Sequence, residues 1–198
     1  MMINRPFLPV LGVPLALMTV PLAASRFVDG WAWGVADYVL AWAMMTGVGL
    51  AYALVTRKSG HLAFRLAAGL ALVTAFLIVW ITISVGLIGS DDNPANMLYG
   101  GVILTGMIGA VVARFAPAGM ARAMVATATA QLLVPVIAYF LRPADFAPGV
   151  VQVFALNAVF AVLFGVSAAL FRQAAGPAQR AADDAPPHGR GDLHASEP

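Results

Sequence analysis

Residues 66–88 read LAAGLALVTAFLIVWITISVGLI, an unbroken run with no charged side chain. An α-helix rises about 1.5 Å per residue, so a run of this length crosses the ~30 Å hydrocarbon core of a bilayer. Arg65 bounds it on one side, and the polar sequence Ser90-Asp91-Asp92-Asn93 follows on the other. Five further stretches share its character: residues 7–24, 36–56, 97–113, 123–141 and 149–171. Of the 11 Lys and Arg and the 9 Asp and Glu in the chain, only Asp37 falls inside any of the six. The chain of 198 residues is 61% hydrophobic and 10% charged, whereas soluble domains run at roughly 45–50% and about 25%. These observations predict an all-α integral membrane bundle of six transmembrane helices, with residues 1–172 as the membrane domain.

The basic residues orient the predicted bundle. Placing the N-terminus in the cytoplasm puts Arg5, Arg57, Lys58, Arg65, Arg114, Arg122, Arg172, Arg180 and Arg190 inside and only Arg26 and Arg142 outside. This is the positive-inside bias, read from short loops where it applies best. Both termini are therefore expected in the cytoplasm, and Asp29, Asp91, Asp92 and Asp145 in the outer loops. The first span carries Pro9, Pro14 and Pro21 and is expected to be a retained, kinked helix. The competing reading takes Leu22-Ala23-Ala24-Ser25 as a small-residue cleavage site, which would leave five spans. Residues 173–198 change character, with Pro177, Pro186, Pro187 and few large apolar side chains, and are expected to form a disordered cytoplasmic tail. His188 and His194 in that tail lack a third metal ligand nearby.

Helices in a bilayer associate through close backbone approach at small residues and through interhelical hydrogen bonds. Small residues recur at four-residue spacing in span two (Ala43, Gly47, Ala51), span four (Gly101, Thr105, Gly109, Ala113) and span six (Asn157, Ala161, Gly165). These are expected packing seams. Span five adds Ala126, Thr127, Ala130 and Gln131, with Pro135 one turn further on to loosen the local backbone. Gln131 and Asn157 are deep amides, and an unpaired amide in hydrocarbon is costly. They are expected to bond to each other or to backbone, or else to line a solute path together with Asp37. Asp37 lies one turn inside its span beside Trp31 and Trp33, where a carboxylate reaches headgroup water or pairs with Arg26.

The third loop has two readings. In the first, Gly89 closes span three, Asn93 caps span four and Pro94 takes the first helical position. In the second, Asp91, Asp92, Asn93 and Asn96 offer oxygen ligands to a hard cation, although the EF-hand spacing is absent. His61 stands among Arg57, Lys58 and Arg65 and reads as an interfacial residue rather than a haem ligand, since no span contains a histidine. Without cysteine, thiolate metal sites, iron–sulfur clusters and cysteine nucleophiles are excluded. Phosphate-binding loops, dinucleotide fingerprints and zinc motifs are absent, and no cofactor is expected. The scattered basic residues give no nucleic-acid stripe.

The segment Gly89-Ser90-Asp91-Asp92-Asn93-Pro94-Ala95-Asn96-Met97-Leu98-Tyr99-Gly100-Gly101-Val102, with Arg114-Phe115 and Gly119-Met120-Ala121-Arg122-Ala123, resembles a group of small uncharacterised multi-pass inner-membrane proteins of proteobacteria. The resemblance covers residues 75–140. It implies a bacterial inner-membrane location and brings no activity, ligand or site residue with it. The leading functional expectation is a structural or accessory subunit whose partners are the lipid bilayer and a second copy or another membrane protein. A small-solute or ion-coupled transporter comes next, and a membrane-embedded enzyme last, because no acid, base and nucleophile share one depth.

Overall fold

In hydrocarbon every backbone N–H needs an internal acceptor, so charge-free runs of this length become helices. In a computed structural model, which describes residues 7–28, 33–57, 59–141 and 146–183, the chain is all-helical, with no strand among the described residues. The helices are α1 (Phe7–Leu17), α2 (Thr19–Ala24), α3 (Val35–Thr56), α4 (Leu62–Ser84), α5 (Leu98–Val112), α6 (Pro117–Leu141) and α7 (Val150–Asp183). A short 3-10 turn, Pro94–Met97, leads into α5. Five helices are long and apolar enough to cross a membrane: α3, α4, α5 with its leading turn, α6 and α7. The chain is thus a helical membrane bundle with one shorter apolar segment at its start.

That shorter segment is interrupted where its prolines lead one to expect a kink. The assignment breaks between α1 and α2 at Met18, and Pro21, which has no N–H to give to the carbonyl of Leu17, accounts for the break. The Met18 N–H still bonds to the Pro14 carbonyl at 3.0 Å, and the Leu22 N–H to the Met18 carbonyl at 3.2 Å, so the chain direction carries through.

Three boundaries differ from the sequence expectation. The charge-free run puts the third span at 66–88, but α4 starts four residues earlier and ends at Ser84. Arg65 is accommodated in its first turn, where a long side chain reaches the interface. Gly86, not Gly89, makes the reversal that closes α4: it sits at φ 77°, and a Cβ there would collide with the Ser90 carbonyl. The tail also begins later, because α7 continues to Asp183 and buries Ala174 and Ala175. The run Arg172-Gln173-Ala174-Ala175 is made of strong helix formers, so nothing stops the helix at the membrane boundary. Residues 184–198, with His188 and His194, lie outside the described residues, as do Arg5, Asp29, Trp31, Lys58, Arg142 and Asp145.

The core is made by α4, α6 and α7, with α5 laid on α6; α3 packs on α4, and α1 on α3. Alanines on α4 (Ala67, Ala68, Ala71) face a buried aromatic stripe on α7 (Phe160, Phe164, Phe171), and the Phe64 and Phe171 rings meet edge-on at 5.1 Å. Small against large is what lets these helices interdigitate without strain. Ser167 ties α7 to α4 by donating to the Ala67 carbonyl at 2.9 Å. Between α5 and α6 the approach is closer still. A Cβ added at Gly109 would stand 2.7 Å from the Ala123 Cβ, and one at Gly106 3.3 Å from the Thr127 hydroxyl.

The other predicted seam glycines are not used within the chain. A Cβ at Gly47, Gly101 or Gly165 would meet nothing within 4 Å, because each faces away from the neighbouring helices. Replacing Gly109 by alanine should therefore destabilise the protein in detergent by about 1–3 kcal/mol, the usual cost of overpacking. Gly47→Ala and Gly165→Ala should not lower the thermal transition, since their Cβ meets open space and alanine is the better helix former. Equal effects at all three positions would show that the α5–α6 approach is not the tight one.

Candidate functional site

Buried polar groups inside a bundle must find hydrogen-bond partners, and three of them meet at one place. Asn157 and Gln131 are both fully buried. Gln131 donates through Nε2 to Asn157 Oδ1 at 2.9 Å, and the Tyr99 hydroxyl donates to the same oxygen at 3.0 Å. Asn157 Nδ2 donates in turn to the Val153 carbonyl, one turn back in α7, at 2.8 Å. One carboxamide therefore joins α5, α6 and α7. Asn157 is seven residues into α7, which places this junction about 10 Å in from the helix start. Gln131 Oε1 is left without a partner, the one unsatisfied atom of the junction. Thr127, one turn before Gln131, returns its hydroxyl to the Ala123 carbonyl and so adds no group to the cluster.

Asp37, the third residue of the expected polar path, is elsewhere. It lies in the first turn of α3, exposed, and its Oδ2 accepts from the Gly34 N–H at 2.7 Å. A carboxylate there satisfies an orphan donor and meets the positive end of the helix. No ion pair joins it to Arg26 among the described residues. Trp33 beside it stacks edge-on with Tyr38 and with Trp80 of α4, which anchors the start of α3. α3 packs on α1 and α4, whereas Gln131 and Asn157 belong to the α6–α7 contact.

The third loop is organised by Asn96. Its Oδ1 accepts from the N–H groups of Leu87 and Ile88 at 3.1 and 3.0 Å, and its Nδ2 donates to the carbonyls of Ser90 and Ile88 at 2.7 and 3.3 Å. Asn93 caps the 3-10 turn by accepting from the Ala95 N–H at 2.9 Å, with Pro94 in the first position. Asn96 is thus turned inward and fully engaged with backbone. Of the four residues considered as cation ligands, only Asp92 and Asn93 border the shallow pocket of about 240 Å³ at this loop, and Asp91 is exposed. No group of three or more His, Cys, Asp or Glu able to hold a metal occurs among the described residues. His61 precedes α4, exposed in the connection from α3 to α4.

A groove of about 830 Å³ lies between α1, α3 and α4. Asp37, Gln131, Asn157 and the third-loop residues do not line it; Arg57 and Arg65, which serve in the sequence only to orient the bundle, do. Reading the sequence also missed Tyr99 and Ser167: each is a lone polar residue in an apolar helix, and nothing in its spacing announces a partner 58 or 100 positions away. In comparisons with known proteins, no family model, curated protein or solved structure matches this chain.

The junction predicts a measurable coupling. A double-mutant cycle of Gln131→Leu and Asn157→Leu, followed by unfolding in detergent, should return a coupling of about 0.6–2 kcal/mol. A coupling near zero would show that the bond does not hold α6 to α7. Asn96→Ala should cost about 2 kcal/mol or more, since it strands two buried N–H groups at once.

Proposed function

We propose that this chain is a structural or accessory subunit of a bacterial inner membrane, with both termini cytoplasmic, that associates with a second copy or another membrane protein. The observation that carries this reading is how the polar groups of the bundle are used. Tyr99, Gln131 and Asn157 bond to one another inside a packed core, and neither of the two concavities described above is lined by them. A carrier needs its polar residues along an accessible path, with Asp37 among them; Asp37 instead caps α3 on the far side of α4. The small-residue faces at Gly47, Gly101 and Gly165 are open in the single chain, and close approach at such faces is how membrane helices associate. The positive-inside distribution of Arg57, Arg65, Arg114, Arg122 and Arg172 supports the orientation.

The absence of native cysteine makes both parts testable with single substitutions. In native membranes, Gly47→Cys, Gly101→Cys and Gly165→Cys should be tried in turn with a thiol cross-linker, with the near-isosteric Ser167→Cys at a fully buried position as the control. A product of higher mass is expected from at least one of the three and none from the control. No product from any of them, together with solute or proton uptake by proteoliposomes that Gln131→Leu abolishes, would replace this reading with the carrier. For the orientation, a membrane-impermeant maleimide should label Ser90→Cys in intact cells and spare Ser59→Cys; the reverse pattern would invert it.

A further inference from the structure

The groove between α1, α3 and α4 has a shape and chemistry that the accessory role does not require. One wall is the stripe Val48, Tyr52 and Thr56 of α3; another is Leu72 and Phe76 of α4; Val13 and Leu17 of α1 close the third side. These positions are apolar for the whole depth of the groove except at one end. There Arg57, Ser59 and Arg65 stand around the mouth, at the connection from α3 to α4. Gly69 lies on the floor, where the Tyr52 ring stands at van der Waals distance, 3.5 Å, from the position of a Cβ.

Two arguments identify the occupant. The first is length. From Arg65 to Leu77, both on the groove wall, α4 advances twelve residues, about 18 Å. Half of a ~30 Å hydrocarbon core is about 15 Å, so the groove spans one leaflet and ends near the midplane. The second is charge. Arg57 and Arg65 are exposed, and no ion pair engages either of them among the described residues. Asp37, on the same helix as the groove wall, is twenty residues from Arg57 and so about 30 Å away. Two guanidinium groups at the membrane boundary, without a carboxylate partner, make a phosphate site, since the planar donor fork of arginine matches phosphate oxygens. The Ser59 oxygen accepts from the His61 N–H at 3.4 Å, which leaves its O–H as a further donor at the mouth. A volume of about 830 Å³ is within the ~300–1,000 Å³ range of ligand sites.

We propose that this groove binds one anionic phospholipid from the leaflet facing residues 57–65, with an acyl chain along α3 and α4 and the phosphate on Arg57 and Arg65. The proposal is independent of the accessory role, because the groove uses a different face of α3 from Gly47. The lipid would fill the concavity between α1 and the core, and so would fix the lightly packed N-terminal segment on α3.

The test is native mass spectrometry of the full chain released from detergent and titrated with phosphatidylglycerol or phosphatidylcholine. A single phosphatidylglycerol adduct that survives activation better than phosphatidylcholine is expected. Arg57→Gln with Arg65→Gln should weaken phosphatidylglycerol binding by about tenfold or more and leave phosphatidylcholine binding unchanged. Val73→Trp, at a half-exposed position on the groove wall, should lower the binding of both lipids by filling the space. Thermal unfolding in detergent controls for folding; if the glutamine variant does not fold, Arg57→Lys with Arg65→Lys keeps the charge and should retain the adduct. Equal retention of the two lipids by the unsubstituted chain would overturn the proposal. So would an adduct that the charge-removing and groove-filling variants leave intact, or one that excess inorganic phosphate displaces completely.

Discussion

The carboxamide of Asn157 is the constraint around which the rest of the bundle is arranged. Water does not drive helices together inside a bilayer, so the register of one helix on another depends on the few groups that cannot be left in hydrocarbon alone. Asn157 Oδ1 accepts from Gln131 of α6 and from Tyr99 of α5, so three helices are fixed in rotation and in height by one side chain. Ser167 repeats the device nearer the other end of α7, where it bonds to the backbone of α4. With four helices so held, the apolar contacts between them need only fit.

How they fit depends on size alternation. Ala67, Ala68 and Ala71 of α4 receive the phenylalanines of α7, while Gly106 and Gly109 of α5 receive Ala123 and Thr127 of α6. The connection between α4 and α5 completes this half of the molecule. Gly86 turns the chain in a conformation that side chains disfavour, and Asn96 bonds four times to the backbone that the turn exposes. That loop is therefore a structural knot, and its acids Asp91 and Asp92 are left at the surface.

The N-terminal half is built differently. α3 contributes only Ala41 and Thr46 to the buried set, and α1 and α2 reach the remainder of the chain through α3. Aromatic contacts among Trp33, Tyr38 and Trp80 hold one end of α3 to α4, and the groove opens along the remainder. A tightly bonded core beside a loosely filled flank is the arrangement in which a lipid can serve as a packing element.

Composition and the placement of charges by themselves determined that the chain is helical and membrane-embedded, and where most spans lie. They did so because hydrocarbon excludes charge and demands complete backbone bonding, a requirement legible residue by residue. The cap at Asn93 and the helix break near Pro21 were legible for a similar reason, since both depend on neighbours within four positions. What only the tertiary structure decided is which faces meet. Apolar helix faces look alike in lipid, so a four-residue repeat marks Gly47, Gly101, Gly109 and Gly165 equally, and only the folded chain sets Gly109 against a neighbour and leaves the others open. In the same way the sequence offers Asp37, Gln131 and Asn157 as members of one polar path. The fold joins the last two to Tyr99 and leaves Asp37 at a helix end, because a hydrogen bond requires approach within about 3 Å and spacing along a chain carries no information about distance between helices.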